Sequence, residues 1–348
     1  MEKKTFILIL GCFLTGVLFI CFLYVLSFKP NSQKNGFKRS YFSGLIVHKT
    51  KINLEYANFY IAGLNASTVY LGNFDDPTIV YVLDNEFSEI KHLKTNFVDS
   101  IKFFWRYSRL QVDSPNVYLT EGTTPTLFHT TLDDLRFKLF MKNSCHFTSS
   151  ILGSKNLAFF KSIEESKKEH ILVKQTNRPP FIQKASHILQ RQVDGLFSTD
   201  GMFKYDPESS KLIYLYYYRN EFICLDTNLR IIYRQKTIDT NTHAKLIVGT
   251  IPSENKVALA SPPLFINKQS CLSRDKLFIH CSLIADNEDI KKFKENAVID
   301  VYSLQNGQYF YSFYIPVSNQ EQFSDFRIFG NQLVVLIGQY LYLFTIAM

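Results

Sequence analysis

KLIYLYYYRNEFICLDTNLRIIYRQKTID, Lys211 to Asp239, consists of three apolar runs parted by two short polar gaps. It reads as strand, turn, strand, turn, strand: KLIYLYYY, then RN, then EFICLD, then TN, then LRIIYRQKTI. Two-residue gaps of this kind join antiparallel neighbours. Upstream, DGMFKYDPESS adds a shorter strand and a Pro-containing turn. Four consecutive antiparallel strands make one blade of a β-propeller. The five tyrosines of the stretch fit that reading, because strands covered on both faces are apolar throughout and wedge-shaped gaps suit large rings. By the two-residue period, Tyr214 and Tyr216 point to one face, and Leu215 and Tyr217 to the other.

The pattern recurs along the chain. STVYLGNFDDPTIVYVLD from Ser67 and PNVYLTEGTTPTLFHTTLD from Pro115 share V-Y-L followed by P-T at an offset of 48, which is blade-sized. With strands lettered A to D from the axis outwards, the B strands are expected near Thr68, Asn116, Asn156, Lys211, Lys276 and Gln332, giving six copies. The last copy, DFRIFGNQLVVLIGQYLYLFTIAM, supplies only A, B and C. A surplus strand, GLIVHKTKI from Gly44, precedes the first copy. Pairing that strand with the last blade closes the ring and removes two open sheet edges. The expected fold is therefore all-β, a six-bladed β-propeller over residues 44–348, closed by its N-terminal strand.

Ahead of it, MEKKTFILILGCFLTGVLFICFLYVLSFK has no charged residue from Thr5 to Phe28. Those 24 residues, as a helix, rise about 36 Å, enough to cross a hydrocarbon core of about 30 Å. No cleavage site of small residues follows, so residues 1–28 read as an uncleaved transmembrane helix and 29–43 as a polar linker. Lys3 and Lys4 favour a cytoplasmic N-terminus, whereas Lys29, Lys34, Lys38 and Arg39 on the far flank favour the opposite. The usual export arrangement gives a single-pass protein of the inner membrane with its body on the periplasmic side. Because the closing strand is a D strand, entered from the C–D end, the tether is expected to leave from that end.

The net charge of +8 is dispersed, with no dense Lys/Arg run, so a solvated surface fits better than nucleic-acid binding. Cys271 and Cys281 admit a hairpin disulfide or two buried thiols. No nucleophile elbow, zinc motif, P-loop, dinucleotide fingerprint or EF-hand loop occurs, and the eight histidines lack metal-ligand spacing. No cofactor, metal or catalytic residue is assigned.

Propeller connections fall on two ends. The A–B and C–D turns are short, at Ala66, Pro207, Thr227 and Gln305. The D–A and B–C connections carry the long pieces: Thr240–Pro263, Ile284–Asn296 and Ile163–His170. Long loops on a rigid frame are where binding usually resides. Asp194 and Asp200 sit in turn-like Asp-Gly pairs before an innermost strand, near Arg191 and Gln192. Arg106, Tyr107 and Arg327 lie near other innermost strands, and His243 lies in a long D–A loop. These eight residues are the candidate ligand-binding set at the channel mouth.

The six-copy pattern, with DGLFSTDGMFKYDPESSKLIYLY (Asp194–Tyr216) and its hairpin partners, resembles the TolB-like superfamily of six-bladed propellers among bacterial envelope proteins. The resemblance spans residues 44–348 and rests on rhythm. WD dipeptides and kelch double glycines are absent, and the single Trp105 departs from quinone-binding propellers. What it implies is a scaffold, since fold does not fix function. Two functions are carried forward. One is a membrane-anchored module that binds a protein or envelope component through the long-loop face. The other is a hydrolase or lyase-like enzyme with a site at the mouth of the central channel.

Overall fold

The computed structural model describes residues 3–27, 34–42, 46–98, 104–141, 145–153, 156–251, 256–317 and 321–347. The chain forms two compact units, Met1–Asn35 and Gly36–Met348. The first holds helix α1 (Lys3–Ser27). Among the described residues no helix is long and apolar enough to cross a membrane. The expected span therefore rests on the sequence alone.

The second unit is the six-bladed propeller. Strand β1 (Ile46–Asn53) comes first in the chain and last in the ring. Blade 1 is β2 (Phe59–Leu64), β3 (Thr68–Asn73), β4 (Ile79–Asp84) and β5 (Ile90–Lys94). A short β6 (Asn96–Phe97) then leaves blade 1 and pairs in parallel with the outer edge of blade 2. Blade 2 is β7 (Arg109–Asp113), β8 (Asn116–Glu121), β9 (Thr126–Thr131) and β10 (Arg136–Met141). Blade 3 is β11 (Ser149–Leu152), β12 (Leu157–Glu164), β13 (Glu169–Thr176) and β14 (Ile182–Ala185). Blade 4 is β15 (Gly201–Asp206), β16 (Lys211–Tyr216), β17 (Glu221–Asp226) and β18 (Ile231–Lys236). A separate hairpin follows, β19 (Val248–Ile251) with β20 (Lys256–Leu259). Blade 5 is β21 (Asn267–Ser273), β22 (Lys276–Cys281), β23 (Asn296–Ser303) and β24 (Tyr309–Pro316), with the one-turn helix α2 (Ile290–Lys294) between β22 and β23. Blade 6 is β25 (Phe323–Phe329), β26 (Gln332–Ile337), β27 (Tyr340–Ile346) and the donated β1.

The closure expected from the sequence is present. β1 runs antiparallel to β27, from Ile46 opposite Ile346 to Asn53 opposite Tyr340. All six B strands start within one residue of their expected positions.

The core is a ring of apolar clusters, one in each wedge between adjacent blades. The alternation of β16 shows how one strand serves two wedges. Tyr214 and Tyr216 pack with Phe159 and Leu172 of blade 3. Ile213 and Leu215 pack with Leu277 and Ile279 of blade 5. Buried tyrosine hydroxyls then tie strands to connections and, from Tyr60, to a neighbouring strand. Tyr216 Oη accepts from Gln190 N at 3.1 Å, Tyr302 Oη from Ile238 N at 3.1 Å, and Tyr60 Oη from Leu110 N at 2.7 Å. A ring that is apolar in body and polar at one end meets both demands.

Around the axis, side chains staple neighbouring A strands. The Gln111 amide clasps Leu152 N and O at 3.0 Å each, Gln269 Nε2 donates to Ser324 O at 2.8 Å, and Asp325 accepts from Ile61 N at 3.1 Å. At Gly63 an added Cβ would lie 2.2 Å from Val112 O, so only glycine permits this approach of β2 to β7.

Four expectations are corrected. Ile163–His170 is not a long loop, because Ile163 pairs with His170 and only residues 165–168 turn. Thr240–Pro263 is not wholly a loop, since it folds back as the β19–β20 hairpin. The polar linker ends earlier than Ser43, since the propeller unit begins at Gly36. The propeller unit also starts at the long-loop end: Gly36 N donates to Asp286 Oδ1 at 3.1 Å, and a Cβ there would sit 3.2 Å from Thr240 Cγ2. Asp286 follows β22 and Thr240 follows β18, so both are B–C or D–A residues. The expected attachment at the C–D end reasoned from β1 alone and overlooked the segment before it.

The ring closure gives a direct test. Ile52 packs into the wedge between blades 6 and 1, whereas Val47 is 62% exposed. Ile52→Asp is expected to lower unfolding free energy by about 2–3 kcal/mol, and Val47→Asp to stay within about 0.5 kcal/mol of the parent. Urea titrations followed by circular dichroism measure both.

Candidate functional site

The connection from blade 3 to blade 4, residues 186–200, meets the stretch after β18 through one side chain. Gln192 Nε2 donates to Thr242 O at 2.9 Å, and Gln192 Oε1 accepts from Ala244 N at 2.8 Å. Asp194 holds the turn below it, accepting from Leu196, Phe197 and Ser198 N at 2.7, 2.6 and 3.2 Å. Asp200 accepts from Gly201 N at 2.9 Å and from Lys161 Nζ, whose ammonium also donates to Gly201 O at 3.2 Å. Both carboxylates are thus occupied in shaping the backbone. His170 lies against this group, with Nδ1 3.3 Å from Thr199 Oγ1. Burial, and then the Lys161 charge, push its pKa down to about 4. Burial, and then Asp200, push the Tyr218 hydroxyl up to about 12.

Beside them Arg219 is buried and lies 3.6 Å over the Tyr216 ring, with Nε 3.0 Å from Glu221 Oε2 and Nη1 2.9 Å from Gln190 O. It draws the B–C turn of blade 4 inward.

Of the eight candidate residues, the fold gathers five on these two connections. Gln192, Asp194 and Asp200 form the network. Arg191 reaches Glu169 at 3.5 Å from an exposed position, and His243 is exposed with Nδ1 3.0 Å from Thr242 Oγ1. The other three lie elsewhere. Arg106 and Tyr107 stand exposed on a 3-10 turn, Trp105–Tyr107, ahead of blade 2. Arg327 belongs to β25 on the axis, where its charge bears on Lys204 of β15. Among the described residues no hydrogen bond or ion pair joins these three to the blade 4 network. Nor does any group of three or more His, Cys, Asp or Glu there suit a metal ion.

Lys204 escaped the sequence reading. Burial, followed by the Arg327 charge, lowers its pKa to about 8, with Asp325 opposing. The nearby Cys271 thiol is raised to about 12, chiefly by burial. Cys271 and Cys281 are both buried free thiols.

A second feature had no local signature in the sequence. Residues 36–42 lie along blade 5, where Ser312 N donates to Ser40 O at 2.8 Å and Phe42 N to Ser312 O at 3.2 Å. From this strap Arg39 plunges into the protein. Its guanidinium donates to Asp300 at 2.7 and 3.1 Å, to Glu288 Oε2 at 2.5 Å and to Leu283 O at 2.9 Å. The three side chains are 0–2% exposed. Tyr41 stacks on Tyr314 at 4.5 Å, and both hydroxyls reach Glu288. The Ile284–Asn296 connection is therefore clamped rather than free.

Comparison with known proteins bears on fold only. No family model matches the chain, and no curated protein matches it. Solved structures do match. A member of the DUF4221 family from Bacteroides vulgatus aligns at a TM-score of 0.51 with 11% identity, over 88% of this chain and 99% of that one. BamB from Moraxella catarrhalis aligns at 0.42 with 8% identity, over 86% and 100%. A catalytically inactive virginiamycin B lyase from Staphylococcus aureus, solved with quinupristin, aligns at 0.47 with 11% identity, over 87% and 100%. The chain is a six-bladed propeller, and its resemblance to TolB-like propellers holds at that level.

Two expectations follow from the buried charges. Arg39→Ala leaves two buried carboxylates uncompensated and is expected to cost about 3–5 kcal/mol in urea unfolding, with Arg39→Lys recovering little because the forked geometry is lost. For Lys204 the folded pKa lies below the unfolded value, so the charged form opposes folding. Its cost is full below pH 8 and disappears as pH rises towards the model-peptide value of 10.5. Lys204→Met is expected to stabilise the protein at pH 7, with an advantage that shrinks between pH 8 and 10.5 in parallel titrations.

Proposed function

We propose that the protein is a membrane-tethered binding module that holds a protein partner on its long-loop face. The observation that carries this reading is the placement of exposed apolar side chains. Most of those on the propeller unit stand at the B–C and D–A end, among them Tyr56, Phe74, Phe104, Tyr107, Val193 and Ile247. They come from connections spread around the ring rather than from one blade. Exposed aromatic and aliphatic anchors on a rigid frame, interspersed with charge, suit a protein interface. The clamped loops supply preorganisation, which lowers the ordering cost of association.

The tether in this reading is α1. Its described side chains, such as Phe13 and Leu18, are exposed. The uncharged run from Thr5 to Phe28 is apolar all round, and such a helix needs apolar surroundings. An extracytoplasmic body fits Lys3 and Lys4 on the other flank. The opposing count is also weakened, since Arg39 is neutralised inside the body by Asp300 and Glu288. A channel-mouth enzyme has less in its favour, because Asp194 and Asp200 are committed to backbone amides and Lys161.

The test is site-specific photocrosslinking in native membranes. A photoreactive residue at Phe104 or Ile247 is expected to give one discrete protein adduct, abolished by Tyr107→Asp with Val193→Asp. The same residue at Phe310, near the opposite end, is expected to give none. Equal adducts from both ends, or adducts that survive the double substitution, would refute the assignment of the face. Extraction of the full chain by alkaline carbonate would refute the tether.

A further inference from the structure

A cavity of about 610 Å³ lies between blades 5 and 6 at the long-loop end. Its size falls within the range of small-molecule sites, roughly 300–1,000 Å³. Three phenylalanines from separate segments form apolar walls: Phe265 ahead of β21, Phe293 on α2, and Phe323 at the start of β25. Two lysines, Lys268 and Lys294, are exposed at its border, and neither belongs to an ion pair among the described residues. Among the described residues a single carboxylate, Glu321, also lines the cavity, so the described lining carries a net positive charge.

His280 adds a polar group to this lining. Its ring meets Phe323 at 4.5 Å, edge to face, and it is 7% exposed. Its Nδ1 is buried with no hydrogen-bond partner among the described residues. Burial, and then the charges of Lys268 and Arg39, push its pKa down to about 3, so the imidazole is neutral at physiological pH. The capacity of Nδ1 is thus unspent, which is uncommon for a buried atom.

The wall is fixed in place. Asp289 caps α2 through Lys292 N at 2.8 Å. One residue earlier, Glu288 is gripped by Arg39, Tyr41 and Tyr314. Phe293 and Lys294 are therefore presented by a loop that the Arg39 strap holds down.

We propose that this cavity binds a small organic anion, with an aromatic body between the phenylalanines and its acidic group at Lys268 and Lys294. The inference deepens the binding-module reading and rests on it, because it places a small-molecule site within the same face.

The experiment is isothermal titration calorimetry on the full chain in a non-ionic detergent. Phenyl phosphate and phenylacetate supply the aromatic anion, benzyl alcohol the uncharged body, and inorganic phosphate the bare anion. At least one aromatic anion is expected to bind with 1:1 stoichiometry, at least tenfold tighter than benzyl alcohol or phosphate. Lys268→Glu with Lys294→Glu is expected to weaken it at least tenfold, as is Phe293→Ala, with melting temperatures unchanged to show that the variants fold. No saturable binding by either aromatic anion overturns the proposal, as does equal binding by the lysine variant. Phosphate binding as tightly as phenyl phosphate also overturns it, since the phenylalanines would then play no part. Photocrosslinking of the parent separates the two readings: a discrete adduct with no anion binding leaves the partner face standing, and no adduct with anion binding intact leaves the cavity standing.

Discussion

Pairing of β1 with β27 is the constraint on which the rest of the propeller depends. Each wedge core needs a blade on both sides, so the wedge between blades 6 and 1 is not finished until the ring is whole. Without β1, β27 becomes an unpaired edge, and the cluster of Leu54, Phe59, Val334 and Leu343 loses Ile52. One inner staple depends on the same closure. Asp325 of β25 can accept from Ile61 of β2 only because the last blade returns to the first.

Closure at the outer edge and stapling at the axis leave the connections as the variable part, and the structure sorts these into two kinds. Some are consumed in building the frame. Asp194 shapes its own turn, Asp200 is held by Lys161, and Glu288 answers a buried arginine from the far end of the sequence. Others keep apolar groups turned outwards, as at Phe104 and Ile247. Charged loop residues that look free in a sequence are often the structural ones, because a buried arginine or a run of turn amides needs a carboxylate. In the proposed reading, recognition falls to the apolar rim and to the cavity between blades 5 and 6.

Most of the fold was legible because the blade repeat is local. A two-residue gap between alternating strands signals itself within a dozen residues, and the six B strands were placed from such signals and their recurrence, whereas the closing strand was placed by the strand missing from the last copy. The candidate site was legible only in part. Asp194 and Asp200 were found through their turn chemistry, with Gln192 taken for its nearness to them, yet the same chemistry makes the two carboxylates structural. Arg106, Tyr107 and Arg327 were chosen for nearness to inner strands, a criterion that says nothing of which way a side chain points. The Arg39–Asp300 pair joins positions 261 apart, and no local pattern announces such a bond. Lys204 looks like any alternating strand lysine until the inner strands converge around it. The one-turn α2 is too short for periodicity to show, so Phe293 gave no hint that it walls a cavity.

The donated strand also sets an order of events during biosynthesis. Ile46 is made early, but its partner Ile346 emerges three hundred positions later. Until then the growing chain is an arc with one gap, and the faces of blade 1 that will meet blade 6 stay uncovered. Long-range pairing of this kind is slow and exposes sticky intermediates. The protein is thus most vulnerable to aggregation and proteolysis until β27 has been made, and a helper that shields the early blades would matter more for its yield than one that acts on the finished ring.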